Sequence, residues 1–274
     1  MLAFLGVTAF RLLRSRPVEQ VETPSTNQPE ASRAFWSAYK KAGQRRSSGD
    51  LPAAIEFYQK ALVLRPNHED SLYYLGNCHF ERGEYAEASV AYRRLIAVNP
   101  QGSSRGYMQL GLIHAGLEPE APRNLAEARR YFEQSLQVDP DSGALLCLGE
   151  VAVLEGQWLQ AWKYLEGANA DNAMSMAAPF LLGYLCFRDG RDAEAWKWFR
   201  LAVQRGELKK PAVKWTEEGD VKADPELRWR ALARQSVFGR YWISLRGYLK
   251  SGYGQEDMRN EYRRLQKTLA GLLA

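Results

Sequence analysis

His79 and His114 stand 35 positions apart, and Cys186 follows 72 positions later. Imidazole and thiolate groups of this kind can hold a metal ion or carry a proton. The equivalent slot in the unit between His114 and Cys186 holds Ala152, and the series breaks. Each of the three lies in an apolar helical run where an aromatic or small side chain is wanted, so packing is the favoured reading. Cys78, Cys147 and Cys186 occur singly within such runs, and an odd count fits thiols used as small core residues in a reducing compartment. Glu118 and Glu120 form a close carboxylate pair, yet they fall in a polar turn, Leu117–Asn124, where both are solvated. The chain has no glycine-rich phosphate loop, no Gly-x-Ser-x-Gly elbow and no Cys-x-x-Cys pair. Neither catalysis, a metal nor a cofactor is expected. What the chain does have in quantity is aromatic surface, with 8 Trp, 14 Tyr and 10 Phe, the residue types that anchor binding interfaces.

Those aromatics follow a period. Leu75-Gly76, Leu110-Gly111, Leu148-Gly149 and Leu182-Gly183 each mark the middle of an apolar helical run. Behind them come Ala88 and Tyr92, Ala128 and Phe132, Ala161 and Leu165, Ala195 and Phe199. One unit further upstream, Ala42 replaces the Gly ahead of Ala54, Tyr58 and Ala61. The spacing is 34 or 35 residues, stretched to 38 only where the turn Leu117–Asn124 is inserted. A fixed period of this length signals an array of helix pairs, with small residues where two backbones approach and large ones beside them. Gly49, Gly83, Gly156 and Gly190 fall in the turns, and Pro66, Pro100 and Pro140 close three of the units. Pro179 stands inside a first helix and requires that helix to begin near it. No alternating apolar–polar run suggests strands, so the class is all-α.

This pattern closely resembles the tetratricopeptide repeat family over residues 35–207. The resemblance implies a right-handed α-solenoid of five helix-turn-helix units: 35–68, 69–103, 104–141, 142–175 and 176–207. In that family the first helices line a concave groove that receives a protein segment. Carried over residue by residue, the groove positions are Trp36 and Tyr39, then Tyr73, Asn77 and Phe80, then Met108 and Leu112. The last two units supply Leu146, Glu150 and Val153, and Phe180, Tyr184, Phe187 and Arg188. Such a lining suits an amphipathic helix or an extended apolar segment. The family's carboxylate clamp for acidic chaperone tails is a poor match. Tyr73, Gln109, Gly143 and Cys147 stand where that clamp needs Lys, Asn, Lys and Arg, and only Asn77 agrees. A competing expectation is that some of these side chains are core, or that the C-terminal helix fills the groove.

The two ends differ from the array. Residues 1–16 are apolar up to Phe10 and then basic. As a helix, Met1–Leu13 would be roughly 20 Å long, short of the ~30 Å hydrocarbon core. Leu2, Phe4, Leu5 and Phe10 with Arg11, Arg14 and Arg16 could form an interfacial membrane anchor, a plug for a neighbouring protein, or an organelle presequence. Ordinary terminal disorder is the plain alternative. Residues 17–34 read as a flexible linker rich in Pro, Glu, Ser, Thr and Gln. After the array comes a polar loop, then a helix from about Asp224 to Lys250 and a second over about Gln255–Leu273, suited to cap the last unit.

Residues 208–274 carry 14 Lys/Arg against 8 Asp/Glu, and the first helix there interleaves Arg with Trp and Tyr. That composition admits contact with RNA, although arginine stems covering apolar neighbours explain it more simply, and nucleic acid is not favoured. The reading from sequence is a non-enzymatic scaffold or adaptor that binds a protein segment and is held at a membrane surface or membrane complex through residues 1–16. The alternative is an accessory or assembly subunit docked through that segment. The repeat domain is placed on the reducing, cytoplasmic side, with a soluble or organelle-targeted protein as the other options.

Overall fold

The computed structural model describes residues 28–116, 123–140, 142–172, 175–207, 236–239, 241 and 252–273. Eleven α-helices, and no strands, occur among the described residues. They are α1 (Gln28–Ser47), α2 (Leu51–Leu64), α3 (Glu69–Glu81), α4 (Tyr85–Val98), α5 (Ser104–Ala115), α6 (Leu125–Val138), α7 (Ser142–Leu154), α8 (Trp158–Asp171), α9 (Ala177–Arg188), α10 (Asp192–Glu207) and α11 (Gln255–Leu273). From α1 to α10 each helix packs mainly on its neighbours in sequence, and the odd-to-even pairs are the tightest. The result is an all-α solenoid of five helix pairs, with α11 returning onto α7, α9 and α10.

Local chemistry sets the helix limits. Asp50 Oδ1 accepts the Ala53 N–H at 3.3 Å, and Asn124 Oδ1 accepts the Glu127 N–H at 3.1 Å, so two second helices begin on side-chain caps. Arg65, Asn99 and Asp139 leave the helical region just before Pro66, Pro100 and Pro140, because a residue ahead of Pro is pushed out of αR. Within pairs, the turn glycines Gly49, Gly83, Gly156 and Gly190 all have φ between 69° and 81°, a region that a side chain resists. Pro179 is the third residue of α9, within the first turn, where its missing N–H has no intrahelical partner to lose. The first helix begins earlier than expected. Gln28–Ala34 belong to α1 and not to a linker, and Arg65 donates to Ser32 Oγ across the pair at 2.9 Å.

The seam inside each pair explains the period. A Cβ on Gly76 would come within 2.5 Å of Tyr92 Cε1, and one on Gly149 within 2.7 Å of Leu165. Gly111 is closed off in the same way by Phe132. Those three large side chains are fully buried, as are Ala88, Ala128 and Ala161 beside them. The last pair differs, because Gly183 is covered by the Tyr262 hydroxyl from α11.

The seam gives a direct test. Gly76→Val should overpack the Tyr92 ring and lower unfolding free energy by about 1–3 kcal/mol. Urea denaturation followed by circular dichroism would read the shift, and an unchanged midpoint would show that the ring has room to move.

Candidate functional site

The side chains expected to line the groove divide into two sets. On the first two helix pairs the surface is open. Trp36 is 50% exposed, with its ring 4.9 Å from Phe35, 5.9 Å from Tyr39 and 6.0 Å from His68. The Arg65 guanidinium lies 4.3 Å over Phe35 and 5.4 Å over Trp36, a cation–π contact that holds the aromatic shelf in place. Tyr73, half-buried on α3, carries Arg105 above its ring at 4.6 Å, and Arg105 pairs with Asp70 at 3.2 Å. Phe80 meets the edge of Tyr85 at 5.6 Å and is likewise only partly covered. Asn77 turns inward instead, where its Oδ1 accepts the Tyr92 hydroxyl at 2.7 Å and so pins the seam ring.

Toward the C-terminal end the same surface is covered. Leu112 is 4% exposed, Phe180 and Tyr184 are 2% exposed, and Glu150 and Val153 are fully buried. Met108, Leu146 and Phe187 are partly buried against the same core. The expectation of a continuous open groove is therefore corrected for the fourth and fifth pairs. Over Phe180, Tyr184, Phe187 and Glu150 the cover is the chain's own C-terminal segment. Tyr262 places its ring 5.0 Å from Phe180, 6.1 Å from Tyr184 and 5.5 Å from Phe187, and its hydroxyl donates to the Phe180 carbonyl at 3.1 Å. Tyr241 lies 6.0 Å from Phe180. Arg188 stays exposed but is engaged, stacked 4.4 Å over Trp158 and paired with Asp189.

Glu150 is the pivot of the covered half. A carboxylate taken from water needs partners, and the carboxyl here accepts the Ser236 hydroxyl at 2.5 Å and the Val237 N–H at 2.7 Å. Ser236 Oγ in turn accepts the Phe238 N–H at 3.1 Å. Ser236–Phe238 therefore form a turn whose donors face side chains, which corrects the expected uninterrupted helix from Asp224 to Lys250 at this point. The rest of that stretch lies outside the described residues, apart from Gly239 and Tyr241. Tyr241 donates to Glu261 Oε2 at 3.0 Å, and burial with the Glu261 charge beside it holds the phenol firmly protonated.

α11 presents Met258, Tyr262, Leu265 and Leu269 on one face, all buried, with Leu272 partly covered. Its start is held near the last pair by Arg259 on Asp192 at 3.0 Å and by Tyr253 against Trp196 and Phe199. Its end reaches the third pair, where Arg123 donates to the Leu272 carbonyl at 3.1 Å. The helix thus crosses from the end of the array into the concave side. The 4-3-4-3 spacing of that apolar stripe was visible in the sequence; its landing place was not.

The histidine and cysteine positions behave as packing residues. His79 Nδ1 is 2.6 Å from Glu84 Oε2, the His114 ring stacks on Tyr131 at 5.5 Å, and the three cysteines are buried and in no disulfide. Burial pushes the Cys186 thiol up to about 11. Among the described residues no group of three or more His, Cys, Asp or Glu side chains is placed to hold a metal ion.

Residues 45–109 and 148–208 match two family models, each described as tetratricopeptide repeat. The chain is a tetratricopeptide-repeat protein. Its relatives include the Photosystem I assembly protein Ycf3 of Synechococcus elongatus, 24% identical over 123 residues, or 40% of this chain and 70% of that protein. The cellulose synthase 1 operon protein C of Komagataeibacter xylinus is 30% identical over 126 residues, which cover 43% of this chain but only 10% of that one. Among solved structures, pilF of Pseudomonas aeruginosa aligns with a TM-score of 0.57 at 19% identity, over 87% of this chain and 99% of that chain. The last shows a shared fold. The tetratricopeptide fold supports binding of a protein partner.

Two histidines give the array a pH response. His68 caps α3 by accepting the Ser71 N–H on Nδ1 at 3.1 Å, and His114 lies against Tyr131; desolvation lowers both pKa values. Their unfolded values are about 6.5, so the unfolded chain binds more protons in that region. Their contribution is complete above pH 6.5 and is lost as pH falls through the lower folded values. Glu84, lowered by its hydrogen bond to His79, adds a separate loss on further acidification, below about pH 4.3. Unfolding free energy should therefore rise as pH climbs from the lowered folded values toward about 6.5 and level off above it. His114→Phe should flatten that rise in urea titrations, and a slope equal to wild type would remove His114 from the account.

Proposed function

We propose that the protein is a non-enzymatic adaptor whose recognition surface is the open concave face of the first two helix pairs. Trp36 carries this reading. A half-exposed Trp, held by Arg65 and packed against Phe35, Tyr39 and His68, with Tyr73 and Phe80 partly exposed on the next first helix, is the composition of an interface anchor. The chemistry fits an apolar or amphipathic protein segment. The Asp70–Arg105 pair at the edge adds one acceptor and one donor that fix register. The assembly role in the name of the Ycf3 relative supports placing this chain among proteins that bring other subunits together.

A second part of the proposal concerns location. Leu2, Phe4, Leu5 and Phe10 followed by Arg11, Arg14 and Arg16 suit an interfacial anchor on anionic lipid, and this segment lies outside the described residues. No helix among the described residues is long and apolar enough to cross a membrane. The competing reading for the same segment is a plug into a subunit of a membrane complex.

Both parts can be tested. Trp36→Ala, Tyr73→Ala and Phe80→Ala together should cut recovery of cross-linked partners at least about tenfold while helicity is unchanged, since each anchor is worth more than about 1 kcal/mol. Undiminished recovery by the folded triple variant would reject this face. Full-length protein should sediment with anionic liposomes, whereas a chain beginning at Gln28 should not. Arg11, Arg14 and Arg16 changed to Gln should weaken sedimentation most at low salt. Full-length protein that ignores liposomes yet fractionates with one membrane complex would favour the plug.

A further inference from the structure

We propose that the concave face of the fourth and fifth pairs is a second receptor for an amphipathic helix, closed in cis by the turn at Ser236 together with α11, so that partner access there requires this segment to leave. The inference rests on the adaptor reading above and adds regulation to it. What occupies the face is already a ligand in form. It is a helix with a single apolar stripe, Met258, Tyr262, Leu265, Leu269 and Leu272, lying on the first helices α7 and α9. Tyr262 enters deepest, with its hydroxyl over Gly183 where a Cβ would stand.

Three observations make the segment a displaceable occupant and not another repeat. First, α11 packs chiefly on α7, α9 and α10, and it has no second helix of its own packed against it among the described residues. Second, 47 residues separate α10 from α11 in the chain, where successive repeat helices are joined by short turns. Third, the polar key is an acid. Glu150 is wholly buried, with partners that include Ser236 and Val237 from that turn. When the turn departs, the carboxylate returns to water, which offsets part of the cost of opening. The covered and open halves lie on successive first helices, so a partner seated on Trp36 and Tyr73 would be positioned to compete for the covered half.

The face therefore selects a helix with apolar residues at i, i+4, i+7 and i+11, preceded by a turn that offers a hydroxyl and a backbone N–H to Glu150. The test uses the full-length chain and a fluorescein-labelled peptide of residues 234–274 of the same sequence. Leu265→Asp with Leu269→Asp weakens the cis occupant and leaves the receptor face unaltered. This variant should bind the peptide at least tenfold more tightly than wild type by fluorescence anisotropy. If circular dichroism shows that it has lost its fold, the milder Ser236→Ala with Tyr262→Phe, which removes only the polar contacts, should still show a measurable gain. Equal peptide affinity for wild type and folded variants would overturn the proposal, as would failure of any of them to bind. The Trp36, Tyr73 and Phe80 changes leave this assay intact, so failure of the adaptor reading would be seen separately.

Discussion

The molecule depends on one steric condition repeated along its length: two helix backbones must come close enough that one of them can carry no side chain at the crossing. Gly76, Gly111 and Gly149 meet that condition, and Tyr92, Phe132 and Leu165 close over them. Because the contact is made within a pair, each pair is self-consistent. Pairs then stack only on their neighbours, and stability follows as a sum of local terms. The first pair shows the tolerance of the scheme, since Ala42 stands at the glycine position and is still fully buried. Polar ties reinforce the same crossing, as where Asn77 holds the Tyr92 hydroxyl.

A linear array has no intrinsic end, and its last pair exposes the surface on which a further pair would stack. Here that surface is finished by α11, which crosses from α10 toward the third pair. One helix thereby serves two purposes. It shields Phe199 at the end of the array, with Tyr253 just ahead of it against Trp196, and it buries Phe180 and Tyr184 on the concave side. The concave face is consequently asymmetric, with an aromatic shelf at Trp36 open to a partner and an acidic pocket at Glu150 filled from within.

The repeat was legible because its determinants are local: a Leu-Gly pair, an Ala and an aromatic at fixed offsets, and a Pro before the next unit. The caps at Asp50 and Asn124 belong to the same class of signal. The start of α1 was misplaced because Gln, Pro, Glu and Ser at positions 28–32 read as linker, while the tertiary bond from Arg65 to Ser32 helps hold them helical. The site was half legible. Trp36, Tyr73 and Phe80 could be assigned to a face from register alone. Whether Phe180 or Glu150 was open to solvent depended on residues more than 80 positions later, and no periodicity reports a contact at that distance.

That distance has a consequence for the chain as it is made. Tyr262 is 82 residues beyond Phe180, and Ser236 is 86 beyond Glu150. Neighbouring repeats can form from contacts of short sequence separation, which close quickly. The fifth pair is complete at Glu207, 55 residues before Tyr262, so at a synthesis rate of about 5–20 residues per second it precedes that cover by roughly 3–11 s. During that interval Phe180, Tyr184 and Glu150 face the surroundings of the nascent chain. The surfaces at Glu150 and Phe180 are thus made before the residues that cover them, and the order in which the ribosome releases the chain decides what can reach them first.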